Sequence, residues 1–188
     1  MSRMLLAVPA LLPIVGGVVL LIMNHFKGNA VFRYRGLALF VEGITLVNSL
    51  VIGWLIVHKA GTGEQMVLFT LYGDLRVMFS LDGLGSVFAG LIAFLWPLAV
   101  LYSFEYMRNE ERQTVFFAYY LMTYGVTVGI AFAGNLVTLY LFYELLTLVT
   151  FPLVLHPMTK AAVRASRKYL YYAIGGAAFA FIGIIFVL

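Results

Sequence analysis

Apolar residues gather in six blocks along the chain, at roughly 4–23, 36–57, 83–103, 115–133, 136–155 and 169–188. Each holds about 19–22 residues, enough to cross a hydrocarbon layer of about 30 Å at about 1.5 Å per residue. The polar stretches between them are too short to fold as a separate soluble domain. The pattern therefore predicts an all-α, polytopic transmembrane helix bundle, one domain over residues 1–188. The first block resembles a secretion leader, because Arg3 precedes it and "AVPA" is rich in small residues. The run from Met4 to Met23 exceeds the 7–15 apolar residues of such a leader, so a retained helix is expected.

The connectors add detail. Blocks four and five are separated by Gly134 and Asn135 alone, which forces an antiparallel pair of neighbours. Between blocks two and three, "EQMVLFTLYGDLRVMFSLDG" holds two short β-prone runs flanking Gly73-Asp74. A hairpin and an irregular loop on the membrane surface are equally compatible with it. Pro152 falls near the end of block five, where it frees a backbone carbonyl and favours a kink. Gly176, Ala180 and Gly183 form a small-residue face in block six, or plain helix filler.

Composition agrees with the pattern. The chain is 63% hydrophobic and 11% charged, whereas a soluble domain is about half apolar and a quarter charged. It has no cysteine, which excludes disulfides, cysteine-ligated iron–sulfur clusters and thiol nucleophiles. The net charge of +4 reflects loop orientation rather than nucleic-acid binding. Nine basic residues (Lys27, Arg33, Arg35, Arg108, Arg112, Lys160, Arg164, Arg167 and Lys168) follow blocks one, three and five. Arg3, Lys59 and Arg76 occupy the other side. The bias places both termini outside.

One residue breaks the apolar pattern most sharply. Glu144 lies about 12 Å from the outer end of block five and about 17 Å from the inner end by helical rise. An acid at that depth costs a few kcal/mol or more, and intramembrane acids usually mark ion or proton paths. The alternative is a protonated acid with a purely structural role. Tyr140 and Thr147 share its helix face. Tyr120, Thr123, Tyr124 and Thr127 form a stripe on block four. In an antiparallel pair Tyr124 and Thr127 come level with Glu144, and the stripe is expected to face it. Glu42, His156 and Lys168 are candidate relay groups. Glu42 in a wet vestibule, and an ordinary interfacial histidine, are the plainer readings. His25, His58 and His156 show no metal-ligand spacing, and no phosphate loop, hydrolytic triad or cofactor motif is present. Neither a catalytic group nor a cofactor is therefore expected on this chain.

Three stretches carry a family resemblance: "FSLDGLGSVFAGLIAFLWPLAVLYSFEYM", "AGNLVTLYLFYELLTLVTFPLVLH" and "RKYLYYAIGGAAFAFIGIIFVL". Together, over about residues 79–188, they resemble the antiporter-like subunits of respiratory complex I. The same family includes subunits of Mrp-type multisubunit cation/proton antiporters and of membrane-bound hydrogenases. The D type of the former and the M type of complex I look nearest. The most specific piece is the helix after Asn135 that carries "YELLTLVTFPLV". The resemblance implies that Glu144 is the family's helix-five glutamate, paired with a lysine on helix seven, and that ions move as the pair opens and closes. It also implies about fourteen helices in a full member, so this chain matches the N-terminal six. Partner membrane subunits would then supply the lysine-bearing helix and carry any cofactors.

The sequence thus favours an H⁺- or Na⁺-translocating subunit or fragment in a prokaryotic inner membrane. Its rivals are a non-transporting scaffold that anchors partner subunits, a small carrier acting as an oligomer, and, more weakly, a membrane enzyme. The charge bias makes a direct prediction in this cysteine-free chain. Arg164→Cys should react with an impermeant thiol reagent from the inner side only; reaction from the outer side alone would reverse the topology.

Overall fold

The protein is described here by a computed structural model covering residues 3–27, 34–73 and 75–187. Arg33 of the expected inner loop and Asp74 of the expected hairpin turn lie outside these residues. A short 3₁₀ turn (Arg3–Leu6) leads into α1 (Val8–Lys27) and α2 (Tyr34–Lys59). Two strands follow, β1 (Gln65–Tyr72) and β2 (Leu75–Ser80). The remaining helices are α3 (Gly83–Tyr106), α4 (Gln113–Ala131), α5 (Leu136–Leu155) and α6 (Lys160–Val187). All six helices are long and apolar enough to cross a membrane.

Local chemistry sets the helix ends. The Asp82 carboxylate accepts from the Gly85 amide at 2.6 Å and starts α3, and the Asn135 side chain accepts from Thr138 N at 2.8 Å and starts α5. Both are N-caps of the expected type. The first helix begins later than predicted, at Val8, with Pro9 in its opening turn, where a missing N–H is tolerated. The sixth begins nine residues earlier than predicted. Thr159 caps it, its hydroxyl accepting from Ala162 N at 3.1 Å, and 160–168 is rich in Ala, Lys and Arg, which are strong helix formers. The basic residues read as an inner loop therefore occupy the first turns of α6.

The core centres on α4, which packs against α1, α2, α3 and α5. Its approach to α1 is close enough to exclude side chains. A Cβ on Gly125 would collide with the Ala10 carbonyl, and one on Gly17 with the Ala118 carbonyl. The two contacts are reciprocal and fix an antiparallel register. On the other side of α4, Gly129 leaves room for the ring of Phe142 on α5.

The segment between α2 and α3 is a hairpin, with β1 and β2 antiparallel and Gly73 at φ +53° in the turn, a conformation glycine adopts freely. It is fastened to the α4–α5 connection. Ser80 N donates to Phe132 O at 2.8 Å and Gly134 N to Met78 O at 2.9 Å. Met78 N donates to the Thr138 hydroxyl at 2.9 Å and the Asn135 amide to Arg76 O at 2.7 Å. Val77 and Phe79 are fully buried beneath this clamp.

A helical proline shapes the α1–α2 contact. Pro13 lies inside α1 and offers no N–H to the carbonyl four residues earlier. That carbonyl belongs to Pro9, and the Asn48 side-chain amide donates to it at 3.1 Å.

The glycine contacts predict contrasting substitutions. Gly125→Ala should destabilise the fold by about 1–3 kcal/mol through overpacking. Gly43→Ala, where a Cβ meets nothing within 4 Å, should be neutral or stabilising by up to about 1 kcal/mol. Thermal unfolding in detergent would separate the two; equal effects would refute the contact.

Candidate ion-translocation site

Glu144 sits near the middle of α5 and is half-buried. Its Oε1 is buried and has no hydrogen-bond partner. Tyr140, one turn earlier, interacts with the carboxylate through its side chain, and its ring packs on Phe181 of α6 at 5.5 Å. Further along, the Thr150 hydroxyl meets the Tyr169 hydroxyl of α6 at 2.6 Å. Thr147 is buried, and its hydroxyl reaches the Tyr143 carbonyl only at 3.5 Å. Tyr140, Glu144 and Thr147 therefore form one face, as their spacing predicts, and α6 borders it.

The pairings 140–181 and 150–169 set the register of α5 against α6. Glu144 comes level with about residue 176 of α6, in the small-residue run 175–178, and Lys168 with about residue 152 of α5. Lys168 then lies about 12 Å from Glu144 along the helix axis, closer than a start of the sixth helix at 169 implies. It is exposed, and the separation still exceeds what a lysine side chain spans. The ion pairs Lys59–Glu64 at 2.6 Å and Arg108–Glu105 at 3.5 Å both lie away from Glu144.

The stripe on α4 is correctly placed in depth and wrongly placed in rotation. Phe142 packs at Gly129, which brings Glu144 level with about Thr127. Glu144 follows Phe142 by two residues, a turn of about 200°, so its side chain leaves the opposite side of α5 from α4. Tyr124 instead turns toward α2 and α3. It is fully buried, its hydroxyl bonds Ser49 at 2.9 Å, and its ring stacks on Trp96 at 5.1 Å. Thr127 donates to the Thr123 carbonyl at 2.8 Å and lines an apolar groove of about 320 Å³ with Phe88, Ile92 and Leu139. The expectation that Tyr124 or Thr127 would face Glu144 is thus corrected. The cause is the large ring of Phe142, which claims the α4 side of α5.

The relay candidates are dispersed. Glu42 is on α2, half-buried, with a buried Oε2 that has no hydrogen-bond partner. His156 caps the C-terminal end of α5, about 18 Å along the helix from Glu144. Its ring lies edge-on to Phe116 at 5.5 Å, and it lines a pocket of about 200 Å³ with Glu110, Glu111 and Arg112. Sequence reasoning missed Asn48, which is fully buried, and Ser49 and Trp96, which are half-buried beside Tyr124. Their signal was the spacing Glu42, Thr45, Ser49 on one face of α2.

A six-helix membrane segment has the form expected of an antiporter-like subunit, and comparison with known proteins supports that likeness. Residues 70–117 match the family described as NADH-ubiquinone oxidoreductase (complex I), chain 5 N-terminus. Over 154 residues, 80% of the chain, it is 30% identical to a Na(+)/H(+) antiporter subunit A1 of Staphylococcus aureus, covering 18% of that protein. The subunit A1 of strain Newman matches to the same extent. In fold, the chain aligns over 95% of its length with a subunit in the structure of the membrane-bound sulfane sulfur reductase (MBS), an archaeal respiratory membrane complex. The TM-score is 0.76 at 19% identity, over 36% of that subunit. The chain is therefore homologous to the antiporter-like membrane subunits and spans about a fifth of the length of the curated relatives it matches. The curated relatives are A-type subunits, not the D or M type that looked nearest.

The rotation of α4 can be tested by double-mutant cycles read as unfolding free energy in detergent. Tyr124→Phe and Ser49→Ala should couple by about 0.5–1.5 kcal/mol, the net worth of a hydrogen bond. Tyr124→Phe and Glu144→Gln should be additive; coupling between these two would restore the stripe to the Glu144 side.

Proposed function

We propose that this chain is an ion-translocating part, for H⁺ and/or Na⁺, of a multisubunit antiporter or complex I-like respiratory complex. The observation that carries the proposal is Glu144, an acid midway through α5 with a buried oxygen that has no hydrogen-bond partner, in a chain 30% identical to a Na⁺/H⁺ antiporter subunit. In this reading Glu144 is the switch. A cation from a later helix or another subunit stabilises its ionised form. When the two separate, the carboxylate is left unpaired in a medium of low polarity, and taking up a proton relieves that cost. Lys168, about 12 Å away along the axis, does not serve as that partner.

Tyr140 and Thr147 line the ion path beside Glu144. Partner subunits carry whatever redox cofactors the complex uses, and the chain lies in a prokaryotic inner membrane with both termini outside. Glu144→Gln, nearly the same size, should leave assembly of the full complex intact and lower coupled ion movement at least tenfold. Proton or sodium flux in inverted vesicles measures the second effect, and native gel electrophoresis the first. Undiminished flux with normal assembly would favour the scaffold reading, in which Glu144 is structural.

A further inference from the structure

On the side of α4 turned away from Glu144, polar side chains line up between apolar layers. Tyr124 and Ser49 share a hydrogen bond of 2.9 Å near the middle of α2 and α4, and the Asn48 amide also interacts with the Tyr124 hydroxyl. Trp96 of α3 stacks on Tyr124 at 5.1 Å and lies at 5.3 Å from the Tyr120 ring, one turn toward the inner side. Tyr120 in turn interacts with the Ser103 hydroxyl. Ile56 of α2 lies against Gly90 of α3. Because α2 and α3 are antiparallel, this sets Glu42 level with about residue 104, beside Ser103. Polar groups thus occupy successive levels from Glu42, about 12 Å along α2 from its inner end, to Ser49.

Three atoms along this line are buried without a hydrogen-bond partner: Glu42 Oε2, Trp96 Nε1 and Asn48 Oδ1. The Asn48 oxygen is the most telling. Asn48 is fully buried, and its Nδ2 donates to the Pro9 carbonyl, which Pro13 leaves open. That bond fixes the orientation of the amide, so Oδ1 must face elsewhere as an acceptor. Trp96 Nε1 is a donor and nothing else. Unsatisfied donors and acceptors of both kinds in one buried region call for a species that both donates and accepts. A cation would suit Asn48 and the hydroxyls but not the indole N–H. Water suits all of them and typically makes about three hydrogen bonds when buried.

We infer that α2, α3 and α4 enclose a water-holding polar column, separate from Glu144, that runs from the level of Glu42 to the Asn48–Ser49–Tyr124 cluster. Its occupant is water, ordered by Asn48 Oδ1, Trp96 Nε1 and the Tyr124–Ser49 pair. Such a column gives protons a hydrogen-bonded route from the inner half of the membrane to its centre. The inference does not depend on the role proposed for Glu144.

Hydroxyl-radical footprinting by X-ray pulses tests it, because buried side chains are oxidised only where water lies against them. The purified chain in lipid nanodiscs is the sample. Phe79, Phe117 and Phe132, all fully buried, are dry references. After correction for intrinsic reactivity, Trp96 and Tyr124 should be oxidised at least fivefold faster than these. Asn48→Leu, or Ser49→Ala should the former fail to fold, should bring both rates down toward the references, while Glu144→Gln leaves them unchanged. Rates for Trp96 and Tyr124 no faster than the references would overturn the inference. So would rates insensitive to both Asn48→Leu and Ser49→Ala. A fall in both rates on adding sodium would replace it with a cation site.

Discussion

The bundle depends on one contact, the backbone-to-backbone approach of α1 and α4. Gly125 lies against the Ala10 carbonyl and Gly17 against the Ala118 carbonyl. In a bilayer, helices gain little from burying apolar surface, because lipid is as apolar as leucine. What holds them is close packing, and small residues permit the closest. With α1 fixed on one side, α4 offers its remaining faces to α2, α3 and α5. The large rings of Phe117, Tyr124 and Phe132, all fully buried, fill the spaces this leaves.

That arrangement divides the polar chemistry. Phe142 occupies the α4 side of α5, so Glu144 is turned outward to the border of α6. Tyr124 occupies the opposite side of α4, against Ser49 and Trp96. Two polar regions at similar depth are thus kept apart by an apolar layer that includes Phe142, Leu145 and Val149 of α5. The same layering explains why α6 is the least covered helix, with Tyr172, Phe179 and Phe186 exposed. It packs on α5, and its outer face meets lipid or further protein.

Much of the fold was legible because a bilayer reduces it to a length criterion. Six apolar blocks gave six helices, and α5 starts at Leu136, where the fifth block was placed. Two of the ends that moved were governed by features hydropathy does not weigh, Pro9 at α1 and the Thr159 cap at α6. The site was legible in depth but not in azimuth. Counting residues placed Glu144 midway through α5 and level with Thr127. Which way each side chain pointed was decided by the fit of Phe142 to Gly129, a matter of volume that periodicity does not encode. Asn48 escaped notice because an amide within an apolar run looks like filler until Pro13 is seen to have opened the Pro9 carbonyl.

The fastening of the hairpin to the α4–α5 connection has a mechanical side. Four hydrogen bonds, from Ser80, Gly134, Met78 and Asn135, tie one end of α5 to the sheet. The opposite end, at His156, meets a loop and the edge of Phe116, and its nearest tie to α6 is the single Thr150–Tyr169 hydrogen bond. A rod about 30 Å long held in this way swings about its anchored end, so displacement grows with distance from the hairpin. Glu144 sits less than halfway along the lever and His156 at its tip. A tilt too small to break a contact at the fulcrum would shift the carboxylate modestly and the far end more than twice as far.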